Sequence, residues 1–511
     1  MNRPLLVLLA TVATAAAQPS TTGLVSPVQD ARLTTPGLNG SGYQIGLGYS
    51  VAFDGDRALV GAVGEDVGNT NAGTDAGAAY VFVRTASGWE QEARLVEPNG
   101  PYYYGFFGFS VALSGDRAFV TSRSYSRDLV YRGAVHVFVR SGETWSHEAT
   151  LLDPERFTIF GRSVSASGDR VLVGAIKEAG GFGFDGAAHV FTRSGTTWSH
   201  EATLRANPVV RYDQLGSSVS LLGDRALVGA PQDDASGTDS GSAYLFTRAG
   251  GSWIQEARLA TAPLAAGDLF GGAVSLGEDR ALVGAPARTA DSNPAAQAGD
   301  AYTFVRSSSG AWTLESTLNI AGSPGNDAFG YSVSLLSDRI LVGAPAEAGA
   351  GRAHLFARQS GTWQYAGAVS AADGAAGDSF GFAVALSGER ALIGAAGEDD
   401  ADRPGAGAAY VFSGVGPTGM DGGPSGRVSL SPPRPNPATR HAELTLALDR
   451  PQYVRAVLVD ALGREVALLH DGEAVGTLAL RVDGGGLAPG VYVVRVVGGT
   501  FAESARLVIA R

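Results

Sequence analysis

Short runs of valine, leucine, phenylalanine and tyrosine punctuate this chain, separated by glycine, serine and aspartate. One stretch reads Ser110–Leu113, Ala118–Thr121, Val135–Val139 and Trp145–Leu151. Brief apolar runs bounded by turn formers predict strands. The quartet then recurs. Its consensus is F-G-x-S-V-x-L-x-G-D-R-A-L-V-G-A-P, a variable loop, G-A-A-Y-V-F-x-R, a turn, and W-x-x-E-A-x-L. The glycines of the F/L-G pairs are Gly48, Gly108, Gly161, Gly216, Gly271, Gly330 and Gly381, at gaps of 60, 53, 55, 55, 59 and 51 residues. Repeats at this period predict a propeller or a solenoid. Copy seven stops after Tyr410-Val411-Phe412 and lacks the final segment. A twin of that segment precedes copy one, as Val28-Gln29-Asp30-Ala31-Arg32-Leu33. A strand borrowed from the N-terminal side closes a ring. The pattern therefore predicts an all-β, seven-bladed β-propeller over residues 25–412, with strand 28–33 closing blade seven.

Between the first two strands every copy carries an acid–arginine pair, from Asp56-Arg57 to Glu389-Arg390. Glycine precedes the acid in five of the seven, which predicts a two-residue hairpin with positive φ at its first position. A catalytic residue is needed once, whereas a turn is needed in every blade, so the pair reads as turn chemistry.

Composition bounds the rest. With 511 residues the chain exceeds one ordinary core, unless repeats share the work. It has 72 glycines and no cysteine, so packing and strand pairing must hold it together without disulfides. The net charge of −12 argues against nucleic acid as a partner. Lys177 is the single lysine. Residues 1–17 read as a signal peptide: Arg3, an apolar run from Leu5 to Val12, and Ala15-Ala16-Ala17 before Gln18. No later stretch is long and apolar enough for a transmembrane helix. Residues 413–426 form a glycine- and proline-rich linker, and a different β-pattern fills 427–511.

The recurrent V-G-A-P and F-G motifs resemble the FG-GAP repeat family, in its bacterial form with S-G-D-R-A-L-V-G-A-P. The resemblance covers Val28 to Phe412 and implies a propeller like the integrin α-subunit headpiece. Integrin-type repeats often carry a D-x-D-x-D-G calcium loop before the L-V-G-A-P strand. Here that place holds only a tight turn such as Leu222-Gly223-Asp224-Arg225, too short to surround calcium with oxygens. The C-terminal region resembles the sorting domain of type IX secretion cargo. The matching residues are Pro435-Asn436-Pro437, Asp460 to Val466, Leu487 to Tyr492 and Arg506 to Arg511. That resemblance implies a small immunoglobulin-like β-sandwich read by the type IX secretion machinery.

Candidate chemistry is sparse. His136, His189 and His354 take the strand position that Tyr80, Tyr244, Tyr302 and Tyr410 hold in other copies, which reads as packing. No G-x-S-x-G, H-E-x-x-H or phosphate loop is present. Two features leave the repeat background. Copy two is led in by Pro101-Tyr102-Tyr103-Tyr104-Gly105-Phe106-Phe107, and its V-G-A-P becomes Val120-Thr121-Ser122-Arg123, followed by Arg127. Tyr102, Tyr103, Tyr104, Phe106, Arg123 and Arg127 are the candidate ligand-binding residues, since rings stack on sugars or peptides and arginine adds planar hydrogen bonds. The plainer reading is that the rings cover the hub. The second feature is acidic: Asp213, Asp268, Asp327 and Asp378 before the F/L-G pairs, with Glu65-Asp66, Asp75, Asp233-Asp234, Asp239, Asp291 and Glu398-Asp399-Asp400 in the long loops. These read as a solvated rim, with weak calcium binding as the alternative and no other cofactor or metal expected.

The expectation is thus a secreted or cell-surface propeller for non-enzymatic binding or adhesion to a glycan or extracellular protein. It would pass through the periplasm and leave by its C-terminal sorting domain. An extracellular propeller hydrolase or lyase acting on polysaccharide is the alternative.

Overall fold

The computed structural model describes residues 27–415 and 429–510. The exceptions are 36–37, 39–44, 69–74, 99, 101–103, 124–132, 155–158, 177–185, 209–211, 261–263, 288, 291–292, 321–324, 401–402, 432, 461–464 and 499–500. The chain divides into two compact units, Met1–Thr418 and Gly419–Arg511.

The described residues of the first unit form seven four-stranded antiparallel sheets. Copy one contributes Leu47–Asp54, Arg57–Ala62, Ala78–Thr85 and Gly88–Leu95, hydrogen-bonded in chain order. Copy two contributes Val111–Ser114, Arg117–Ser122, Ala134–Ser141 and Thr144–Leu151. In the sheet of copy seven, Phe380–Ser387, Arg390–Ala395 and Ala408–Ser413 are followed by Val28–Leu33, which pairs antiparallel with Ala408–Ser413. The first strands of successive copies touch one another, and Phe380–Ser387 touches Leu47–Asp54. These contacts form a closed cycle, as in a β-propeller.

Burial follows this arrangement. Second strands such as Arg57–Ala62 and Arg225–Ala230 are buried at every position after the arginine. Covered on both faces by neighbouring sheets, they must be apolar throughout, hence A-L-V-G-A. Fourth strands such as Gly88–Leu95 mix exposed and half-buried positions and end on a buried leucine.

Three devices join the sheets. The first is close backbone approach. A Cβ at Gly61 would collide with the carbonyl oxygen of Gly108 in the next copy, and one at Gly394 with that of Gly48 across the closing seam. Only glycine allows this approach. The second device is the tight turn, whose leading glycines Gly55, Gly115, Gly168, Gly223 and Gly388 have φ between 54° and 60°.

The third device is a carboxylate clamp. Each W-x-x-E glutamate of copies one to five sits at a β-bulge, where the register skips it; Glu148 lies between His147, opposite Phe138, and Ala149, opposite Val137. A bulge re-aims its side chain, here toward the seam. Glu148 accepts two bonds from Arg117 of its own turn, at 2.8 and 2.9 Å, and one from the Trp198 indole of the next copy, at 3.0 Å. Glu92 is held likewise by Arg57 and Trp145, and Glu315 by Arg280, Arg358 and Trp363. The arginine of the acid–arginine turn therefore locks neighbouring sheets together as well as following a turn.

The second unit is a five-stranded antiparallel sheet. Its centre is a long hairpin, His441–Val459 with Glu465–Asp483, whose register shifts between Leu448 and Gln452. Gly490–Gly498 and Phe501–Ile509 extend one half, and Ser429–Leu430 pairs with the other. Leu444, Leu446, Val454, Leu458, Leu480, Val494 and Leu507 share one buried core. The terminal motifs have structural tasks. The Asn436 side chain donates to the Arg506 carbonyl and accepts from the Val508 amide, both at 2.9 Å, so P-N-P is tied to the last strand. The Tyr492 hydroxyl donates to the Ala488 carbonyl at 2.9 Å and closes the L-A-P-G-V-Y turn.

Candidate functional site

The residue after each F/L-G glycine is where the copies differ most. It is Tyr49, Phe109, Arg162, Ser217, Gly272, Tyr331 and Phe382 in order. The cycle of first strands brings these positions together. Tyr331 meets Phe382 at 4.9 Å between ring centroids, Phe382 meets Tyr49 at 4.9 Å, and Tyr49 meets Phe109 at 5.2 Å. Four aromatic rings from copies six, seven, one and two thus form a continuous arc. The Arg162 guanidinium continues it, 5.3 Å from the Phe109 centroid. Copies four and five offer only Ser217 and Gly272 at this level.

The Arg123 guanidinium lies 5.2 Å from the same Phe109 ring. Its backbone amide donates to the Gly105 carbonyl at 2.9 Å, which ties it to the loop leading into copy two. On that loop Tyr104 and Phe106 stack at 5.9 Å with planes 17° apart, both at positive φ. Tyr104 is 36% exposed. The structure thus brings Tyr104, Phe106 and Arg123 together. Tyr102, Tyr103 and Arg127 lie outside the described residues. Sequence reasoning missed Tyr49, Phe109, Arg162, Tyr331 and Phe382. Their signal was readable in the position after each F/L-G glycine, once the copies are compared column by column.

The electrostatics of the arc are unusual. Burial pushes the Arg162 pKa down, and Arg123 pushes it the same way, against the favourable Tyr49 and Tyr331 hydroxyls. Burial raises the Tyr331 phenol to about 12 and raises Tyr49 as well. Neither arginine has a carboxylate partner among the described residues.

Thr121 explains part of the difference in copy two. It replaces the V-G-A glycine, and a Cβ on Gly161 would press against the Thr121 side chain. The Thr121 hydroxyl instead accepts from the Ser110 amide at 3.0 Å. The seam between copies two and three is therefore built differently from the others.

The solvated acidic rim needs correction. Asp213, Asp268, Asp327 and Asp378 are buried, as are Glu65, Asp75, Asp233 and Glu398. Doubled acids divide their work. The first turns inward: Glu65 accepts from Tyr80 at 2.6 Å and Arg94 at 2.7 Å, and Asp233 accepts from Tyr244 at 2.6 Å and from Arg258. The second holds the loop, since Asp66, Asp234 and Asp399 accept from the amides of Asp75, Asp239 and Gly405. In copy seven the cation is Arg32 of the N-terminal strand, which donates to Glu398 at 2.6 Å beside Tyr410. Burial outweighs these bonds and raises Glu65 and Glu398 above the ordinary carboxylate range.

The histidine position needs correction too. It is a polar site, not mere packing. His354 bonds Glu347 at 2.5 Å, and His136 Nε2 lies 2.7 Å from Glu97 and 3.2 Å from the Ser122 hydroxyl. Serine and carboxylate face the same ring nitrogen, and all three residues are buried. A triad needs them on opposite nitrogens, so Ser122, His136 and Glu97 do not form one; His136 Nδ1 meets the Thr150 hydroxyl at 3.1 Å. Among the described residues no three or more His, Asp or Glu side chains converge as metal ligands.

No curated protein matches the chain. The FG-GAP repeat pattern matches residues 44–82, 145–191, 198–246, 253–304, 312–356 and 363–412, together more than half of the sequence. The gap between the first two matches holds the last strand of copy one and the first three strands of copy two, the copy whose loop and seam depart from the rest. With repeated four-stranded sheets in a closed cycle and this match, the chain belongs to the FG-GAP repeat family.

Proposed function

We propose that this protein is a seven-bladed propeller that binds an extracellular glycan or protein without altering it. The observation that carries this is the convergence of Tyr104, Phe106 and Arg123 beside the hub, in the one copy that leaves the family pattern. FG-GAP propellers are used in binding and adhesion, and a loop face with stacked rings and a guanidinium fits that use. Tyr102, Tyr103 and Arg127, close in sequence to these residues, are included in the proposal.

The export route belongs to the same proposal. Residues 1–17 serve as a signal peptide, and 427–511 serve as a type IX sorting domain that delivers the propeller to the cell surface. The C-terminal module is then a small immunoglobulin-like sandwich. The register shift at Leu448/Gln452 supports this, because it lets the two halves of the long hairpin lie in different layers over one core.

A glycan and matrix-protein array on the purified propeller is the test. A ligand should appear, and Tyr103→Ala with Tyr104→Ala should weaken it by roughly tenfold or more, with little change in thermal stability. Normal binding by the double variant, or loss of stability instead, would reduce the rings to a lid. Turnover of an arrayed polysaccharide would favour the hydrolase or lyase reading.

A further inference from the structure

As a rule, arginine elsewhere among the described residues of the first unit is matched to acid, although Arg403 donates to the Leu38 carbonyl. Arg57, Arg117, Arg170 and Arg280 hold clamp glutamates, and Arg94, Arg258 and Arg32 hold the buried loop acids. Arg162 and Arg123 break that rule. Both lie against one ring, Phe109, at 5.3 and 5.2 Å, and neither meets a carboxylate among the described residues. Two like charges drawn together at a partly buried place, in a chain of net charge −12, leave an electrostatic imbalance. An anion placed between them would remove it, through planar charge-assisted bonds that guanidinium groups make well.

The surroundings narrow the class of anion. Phe109 continues into Tyr49 and Phe382 and ends at Tyr331, which is 41% exposed. Across the hub, Ser217 and Gly272 stand where other copies place rings, so the wall there is low. Aromatic faces on one side, phenolic hydroxyls within the arc and a cationic end suit a ring that has an apolar face, hydroxyl groups and one carboxylate. A flexible peptide terminus would use the cations but leave most of the arc idle.

We propose that the hub is a binding site for an acidic sugar residue, a uronate. Its carboxylate sits on Arg162 and Arg123, and its ring lies against the arc of Phe109 and Tyr49. This deepens the binding function proposed above and rests on it.

Calorimetric titration of the purified full chain with D-glucuronate at low salt tests the site, with D-glucose and the acidic peptide acetyl-Gly-Phe as comparison probes. Glucuronate should bind, glucose should not, and added salt should weaken the binding. Arg162→Gln should lower affinity roughly tenfold or more, the worth of one lost charge-assisted bond. Arg123→Gln, at an exposed side chain, should lower it as well and keeps the test open if the Arg162 variant fails to fold. Absence of glucuronate binding, or equal affinity in the variants, overturns the proposal. Tighter binding of the peptide than of glucuronate overturns the sugar class. If the array yields a ligand whose affinity neither arginine variant changes, general binding stands and the hub site falls.

Discussion

Ser337 is the serine among the turn glycines. It takes φ +53°, where Gly55, Gly115, Gly168, Gly223 and Gly388 take 54° to 60°. A Cβ at any of those glycines would meet nothing within 4 Å, so the strain on Ser337 lies in its own backbone. That strain costs roughly 1–2 kcal/mol, of which the extra unfolded-state freedom of glycine returns about 0.5–1. Ser337→Gly is therefore expected to stabilise the protein by about 0.5–1 kcal/mol in chemical denaturation. Titration of the clamp acids gives a second residue-scale prediction. Arg117 draws Glu148 below its ordinary pKa of 4.5, with burial opposing. For Glu92, Glu201 and Glu315 burial is the largest influence and pushes upward, but the arginine and tryptophan bonds together outweigh it. Acids lowered on folding contribute stability above their unfolded pKa and lose it as pH falls through the folded value. Glu65, Asp75 and Glu398, raised by burial, work in the opposite sense. Four clamps against three raised acids make the balance acid-labile, so the unfolding midpoint should fall as pH drops from about 5 toward 3.

At the scale of the strand, the closing seam lacks the glutamate clamp. Asp30 occupies the bulge between Gln29, opposite Phe412, and Ala31, opposite Val411, where copies one to five place a glutamate. Its side chain is one methylene shorter and accepts from Ser413 at 2.7 Å instead. The Trp89 indole N–H, equivalent to the clamp tryptophans, is left buried without an acceptor. Asp30→Glu should supply one and stabilise the fold by about 1 kcal/mol. The gain should vanish in a Trp89→Phe background; a gain that survives there would mean the new carboxylate acts elsewhere. The strands themselves were legible, because each repeats the same apolar word and the remnant Val28–Leu33 matches the segment that copy seven lacks. The bulges were not. A glutamate in W-x-x-E looks like an exposed position of an alternating strand until the register skips it. The burial of Glu65, Asp233 and Glu398 was hidden for a related reason: each partner tyrosine or arginine lies on a different strand, reached only once the sheet has formed.

At the scale of the whole molecule, repetition made the architecture readable and hid the candidate site. Tyr49, Phe109, Arg162, Tyr331 and Phe382 lie one to three repeats apart, and only ring geometry joins them. The aromatic loop of copy two was visible in sequence because it breaks the repeat locally. Division of labour between the two units gives the last prediction. Each unit has its own buried core, the C-terminal one built from Leu444, Val454, Leu480, Val494 and Leu507 with no residue of the repeats. The motifs that suggest sorting, P-N-P, L-A-P-G-V-Y and the terminal strand, are used within that module to close it on itself. Deletion of 427–511 is therefore expected to leave the propeller with its thermal transition intact. If the module is a sorting domain, the truncated chain should cross the inner membrane and stop in the periplasm of a host with type IX secretion. Fractionation reads the location and calorimetry the fold. A truncated chain that still reaches the cell surface would strip the module of a sorting role, and one that loses its transition would show that the propeller depends on it for stability.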